Sequence, residues 1–158
     1  MRPRGFTLIE LIITLVVLGI LLAVAMPSMS EIMSGSRIKS AKETVLGTIV
    51  QAKSEAVKTN STLTVAIAPP MITILNGATV LKTVTITGAS MLSITASTFA
   101  FNSLGAESTA TNRTIDIIPV SGSCSNEVPC SKIQVFGGGL VKACNPAQGD
   151  VNDPNHCL

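Results

Sequence analysis

Between Phe6 and Met26 the chain is an aliphatic run holding one acid, Glu10, near its start, and from Leu11 to Met26 no residue is charged. Only Thr14 and Gly19 interrupt the aliphatic side chains there. Wound as a helix, such a run is about as long as the ~20 apolar residues that cross a bilayer core. Glu10 is the oddity. A charge in hydrocarbon costs roughly 2.5–3.5 kcal/mol or more, and it is kept mainly where it meets a partner.

Just upstream stands a short cationic leader, Met1-Arg2-Pro3-Arg4-Gly5. The stretch Gly5-Phe6-Thr7-Leu8-Ile9-Glu10 resembles, in register at each position, the processing site of type IV pilins and pseudopilins. That resemblance implies cleavage after Gly5 by a prepilin peptidase, removal of residues 1–5 and N-methylation of the new N-terminus, Phe6. Glu10 then has a natural partner in the α-ammonium of a neighbouring subunit's Phe6, an ion pair formed at low dielectric where attraction is stronger. Assembly would relieve a cost that the lone subunit carries in lipid. The plainer alternative is that Glu10 snorkels to the headgroups. Two other readings compete for the N-terminus as a whole. A secretory signal peptide has support in Arg2, Arg4 and the A-x-A-like Ala23-Val24-Ala25, but its apolar region is typically shorter and carries no Glu. A plain membrane anchor would keep its basic end in the cytoplasm.

The 158 residues suffice for one domain beyond the anchor. Charged residues make up 13% and aromatic residues 3%, with no Trp or Tyr, so the core must be built from Val, Ile, Leu and Ala. Removing Arg2 and Arg4 takes Lys+Arg from 11 to 9, equal to the 9 Asp+Glu, which gives no global pull toward nucleic acid or anionic lipid. The four cysteines, Cys124, Cys130, Cys144 and Cys157, all lie in the last quarter and suit an oxidising compartment. Of three connectivities, sequence proximity favours Cys124–Cys130 with Cys144–Cys157. A zinc site has no C-x-x-C pair to build on and only His156 to add, so no metal is expected.

Past Pro27, which should kink or loosen the helix, apolar residues recur at Ile38, Ala41, Val45, Ile49, Ala52 and Ala56, the spacing of one buried helical face. The helix should end near Thr59-Asn60-Ser61. Short β-rich runs follow: Thr62–Ala68, Met71–Leu75, Thr79–Thr87, Ser90–Thr95, Thr98–Asn102, Arg113–Ile118, Lys132–Phe136 and Leu140–Cys144. Asn76-Gly77 and Gly137-Gly138-Gly139 read as hairpin turns. The expected fold is therefore α+β: a long N-terminal α-helix, transmembrane in its first half and amphipathic in its second, packed against a mainly antiparallel β-sheet head. The expected organisation is a leader at 1–5, a membrane or filament-core helix at 6–33 and a periplasmic head at 34–158 ending in a disulfide-tied tail.

Three further stretches resemble pseudopilins and minor pilins of the GspH/FimT type: Gln51–Asn60 leading into Leu63-Thr64-Val65, Phe101-Asn102-Ser103-Leu104-Gly105, and Gly139-Leu140-Val141-Lys142-Ala143-Cys144. The resemblance implies a non-enzymatic structural subunit of a type IV pilus, a priming or tip subunit, made in the bacterial inner membrane with its head in the periplasm. Its partners would be other pilin or pseudopilin subunits, the prepilin peptidase and the membrane, with no cofactor and no small-molecule substrate. The first alternative is a type II secretion pseudopilin of the H type. The second is a DNA-binding minor pilin for natural transformation, as in some members that bind DNA through basic residues of the last strand. Here Lys142 is the one cation in Phe136–Leu158, and electrostatic affinity scales with the phosphates neutralised. Phe99 and Phe101 read as core and not as stacking platforms. Asp150, Asn152, Asp153 and Asn155 lack the spacing of an EF-hand calcium loop. One His, few acids, no G-x-S-x-G and no P-loop leave no constellation for catalysis.

Overall fold

The computed structural model describes residues 6–120, 122, 124, 130–146 and 157, apart from the side chains at 24–28, 30 and 31. A single helix, α1, spans Leu8–Lys58, 51 residues or ~76 Å, and its helical path runs unbroken through Pro27. Thr7 caps its start in extended conformation. The Thr7 hydroxyl accepts from the Glu10 amide at 3.3 Å, filling one of the donors a helix N-terminus leaves open.

The other end closes as a Schellman motif. Asn60 takes a left-handed φ of 48°, its amide donates to Val57 O at 3.4 Å, and the Ser61 amide donates to Ala56 O at 3.1 Å. Asn is the side chain that best tolerates this conformation after glycine, which is why a polar Thr-Asn-Ser cluster stops the helix here.

Among the described residues eight strands follow: β1 (Leu63–Ala68), β2 (Met71–Asn76), β3 (Thr79–Thr85), β4 (Leu92–Ile94), β5 (Ser97–Phe101), β6 (Arg113–Pro119), β7 (Ser131–Val135) and β8 (Val141–Cys144), with a 3-10 turn at Ala89–Met91. They form two four-stranded sheets, ordered β3-β2-β1-β5 and β4-β6-β7-β8. Every pairing is antiparallel. The division into two sheets refines the expectation of a β-sheet head. β5 turns back to pair with β1, while β4 skips over it to pair with β6. These interleaved, non-local pairings leave no trace in strand spacing.

Helix residues Ile38, Ala41, Val45, Ile49, Ala52 and Ala56 are all buried, as their spacing of three and four requires. The helix packs on β1, β2 and β5 of the first sheet and on β6, β7 and β8 of the second. Alternate residues of both sheets meet it in one core: Leu63, Val65 and Ile67 from β1, Ile115 and Ile117 from β6, Ile133 and Val135 from β7. Alanines at 52 and 56 let the strands approach the helix axis closely. Phe99 and Phe101 lie inside, edge to face with centroids 5.7 Å apart.

Candidate functional site

The core consumes one face of the second half of α1 and, among the described side chains, nothing of the first half. Phe6, Leu8, Ile9, Leu11, Ile12, Ile13, Leu15, Val16, Val17, Leu18, Ile20, Leu21 and Leu22 are all exposed, Phe6 by 83% and Leu8 by 76%. A helix that is apolar all round belongs inside something, either a membrane or an assembly. Among the described residues no helix is long and apolar enough to cross a membrane.

Within this surface the Thr14 hydroxyl is satisfied by Leu11 O at 2.8 Å. Glu10 differs. It sits in the first turn of α1, where the helix dipole favours an acid, and it is exposed. No side-chain donor or cation meets its carboxylate among the described residues. Thr7-x-x-Glu10 is also a capping-box sequence, so Glu10 has a local helix-start role beside its place in the apolar run. Phe6 immediately precedes the cap, and Gly5 lies outside the described residues.

The other expected site residues are scattered. Cys124 is joined to Cys130 and Cys144 to Cys157, with Cα atoms 5.4 and 5.1 Å apart. Lys142 lies half-buried on β8 opposite Gln134. Its neighbour Lys132 on β7 is paired with Asp116 at 3.4 Å. With Phe99 and Phe101 buried, this face offers neither a basic stripe nor a stacking ladder. The tail acids and amides Asp150, Asn152, Asp153 and Asn155, with His156, lie outside the described residues. No cluster of three or more potential metal ligands occurs among the described residues.

A polar knot that the sequence did not announce lies at the far tip of the head. Glu107 is buried, and its Oε2 accepts from the Thr109 amide (2.9 Å), the Thr109 hydroxyl (2.7 Å) and the Thr111 amide (3.1 Å). Its Oε1 accepts no hydrogen bond from these groups and meets Arg113 Nη2 at 3.9 Å. Burial pushes the carboxyl up, but the Thr109 hydroxyl, the Thr111 and Thr109 amides and the Arg113 charge outweigh it and hold its pKa below the ordinary value. The same loop is tied to the β7–β8 turn by Glu107 N–H to Gly137 O (3.1 Å) and Gly137 N–H to Asn112 Oδ1 (3.0 Å). Lys53 of α1 donates to Gly139 O at 2.7 Å. Gly139 has φ 84°, and a Cβ there would run into the Gly105 carbonyl. The visible hint was that Glu107 is the lone acid between Glu55 and Asp116, followed at once by a Thr-rich loop.

Residues 1–26 match the family described as the prokaryotic N-terminal methylation motif. None of the curated proteins matches the sequence significantly. Among solved structures, the type IV minor pilin FimU of Pseudomonas aeruginosa is similar in two crystal forms. In one the TM-score is 0.60 at 17% identity, over 72% of this chain and 95% of FimU. In the other it is 0.58 at 17% identity, over 70% and 98%. A methylation motif thus covers the start of α1, and the rest of the helix and the head carry the fold seen in the minor pilin FimU.

Proposed function

We propose that this protein is a non-enzymatic minor pilin of a type IV pilus, cleaved after Gly5, methylated on Phe6 and packed into the filament by the first half of α1, as a priming or tip subunit. It starts in the bacterial inner membrane, held by Phe6–Met26 with its head in the periplasm, and ends in the pilus. One observation supports the reading: from Phe6 to Leu22 the large apolar side chains of the helix are exposed on every side, and among the described residues the Glu10 carboxylate is unmatched. Cleavage at Gly5 creates an α-ammonium four residues before that acid. The spacing lets one subunit's Phe6 meet the next subunit's Glu10 once the helices lie side by side. Within hydrocarbon the pair replaces an isolated charge costing roughly 2.5–3.5 kcal/mol or more.

The test is to shear filaments from cells making wild-type protein or Glu10→Ala and to detect the subunit immunologically. Wild-type protein is expected in the filament fraction. The variant should be cleaved and inserted normally but incorporated about tenfold less or worse, a loss of ~1.4 kcal/mol or more. Absence of the wild-type protein from filaments would overturn the reading, and wild-type incorporation of Glu10→Ala would remove the ion pair from it.

A further inference from the structure

The head carries exposed apolar side chains at both ends. At the distal end these are Leu104, exposed by 86%, with Leu140 and Val57. They come from three segments that meet. A Cβ on Gly105 would lie 3.2 Å from Val57 Cγ2, and one on Gly139 would run into the Gly105 carbonyl. The loop that presents Leu104 is fixed by its own chain: Asn102 Oδ1 accepts from the Leu104 and Ala106 amides at 2.9 and 3.1 Å, and the Gly105 amide donates to Asn102 O at 2.9 Å. A side chain held out to water in this way has little freedom left to lose on binding. At the base, Met91 and Val120 are exposed on two loops, and so are Ile32 and Met33 on α1. The loops are joined, since Val120 N–H donates to Met91 O (3.2 Å) and Met91 N–H to Gly88 O (3.0 Å). Gly88 faces the Arg37 side chain. Arg37 stands ~16 Å beyond Met26 along the helix, outside the headgroup layer, so lipid does not cover these loops.

From these two patches we infer that the distal end of the head docks against the base of a second copy of this chain, stacked one head height further along the filament axis. The inference rests on the proposed filament. Over residues 33–57 the helix rises ~36 Å, and the apolar rod below it, residues 8–29, is nearly as long at ~32 Å. A copy advanced by one head height therefore lays its rod beside the lower head and brings its base level with the lower tip. Tip and base are different surfaces, so the contact is heterologous and repeats along an axis instead of closing into a pair. Three aliphatic side chains fall far short of the ~800 Å² that each partner of a stable soluble complex buries. The contact thus needs a partner already held in place, which packed rods supply by raising the local concentration. Once a filament has left the membrane, only protein can take these side chains out of water.

The test uses cells making two differently tagged full-length copies, one with Leu104→Cys and the other with Met91→Cys; the natural cysteines are in disulfides. Sheared filaments are treated with a short bismaleimide, which tolerates imperfect alignment better than a disulfide does. A band carrying both tags is expected, and it should need both new cysteines. Leu140→Glu in both copies should cut its yield about tenfold, because a charge replaces an apolar contact. Two copies that reach filaments without a doubly tagged band overturn the stack and leave the pilin reading standing. Absence of the protein from filaments overturns both. A band joining two Leu104→Cys copies as readily assigns the tip to a tip-to-tip contact, and a link only to another protein assigns it to a sister subunit; either overturns the stack.

Discussion

Glu10 and Glu107 are both acids in a chain with few charges, and the fold treats them in opposite ways. Glu107 is enclosed by its own chain and satisfied on one oxygen by three strong donors within two turns of loop. Replacing it by Gln keeps the shape but removes the charge that faces Arg113 and places an amide donor in a pocket of donors. Glu107→Gln should cost about 1–3 kcal/mol in denaturant unfolding. Its pH signature has a definite sign. The folded pKa is lowered, so the stabilisation is complete above the unfolded value, about 4.3, and is lost as pH falls through the lower folded value. Wild-type stability should therefore fall toward that of Glu107→Gln in acid, and a constant gap between the two would contradict this. Glu10 could be singled out from sequence because a charge inside an aliphatic run is conspicuous. Glu107 was marked only as a lone acid ahead of a Thr-rich loop, because Thr109 and Thr111 become its partners only when that loop curls around it.

At the scale of elements, α1 was legible at both ends for different reasons. Its buried face follows from spacing alone, and its stop follows from Asn60, whose left-handed conformation a Cβ-bearing aliphatic residue resists. Asn60→Gly should leave stability nearly unchanged, whereas Asn60→Ala should lose about 1–2 kcal/mol, read from thermal or denaturant midpoints. The hairpins at Asn76-Gly77 and Gly137–Gly139 were marked by turn residues, and the strands they join are antiparallel neighbours. Strand partners distant in sequence were not marked: nothing in Ser97–Phe101 says that it joins β1 and passes by β4. The cysteine pairing is the one that short loops favour. Alkylation of unreduced protein should find no free thiol. Loss of the Cys144–Cys157 link, with its separation of 13 residues, should cost about 3 kcal/mol by loop entropy.

On the scale of the whole molecule, two sheets and half a helix share one core, and the described side chains of the other half of the helix lie outside it. That division accounts for the composition. A chain with 13% charged residues and no Trp or Tyr can build a small aliphatic core and still leave a long apolar rod outside it. It also accounts for what the sequence conveyed about function. The methylation motif and the rod lie in contiguous residues and are visible at once. The bond that would give Glu10 a purpose lies between two molecules, where one chain's sequence has no pattern to offer. In the proposed filament a freed amine at Phe6 meets that acid in a neighbouring copy or sister subunit. Mass spectrometry of the mature N-terminus tests it most directly: methylated Phe6 is the expected result, and an intact Met1, or a start at Met26, would contradict it.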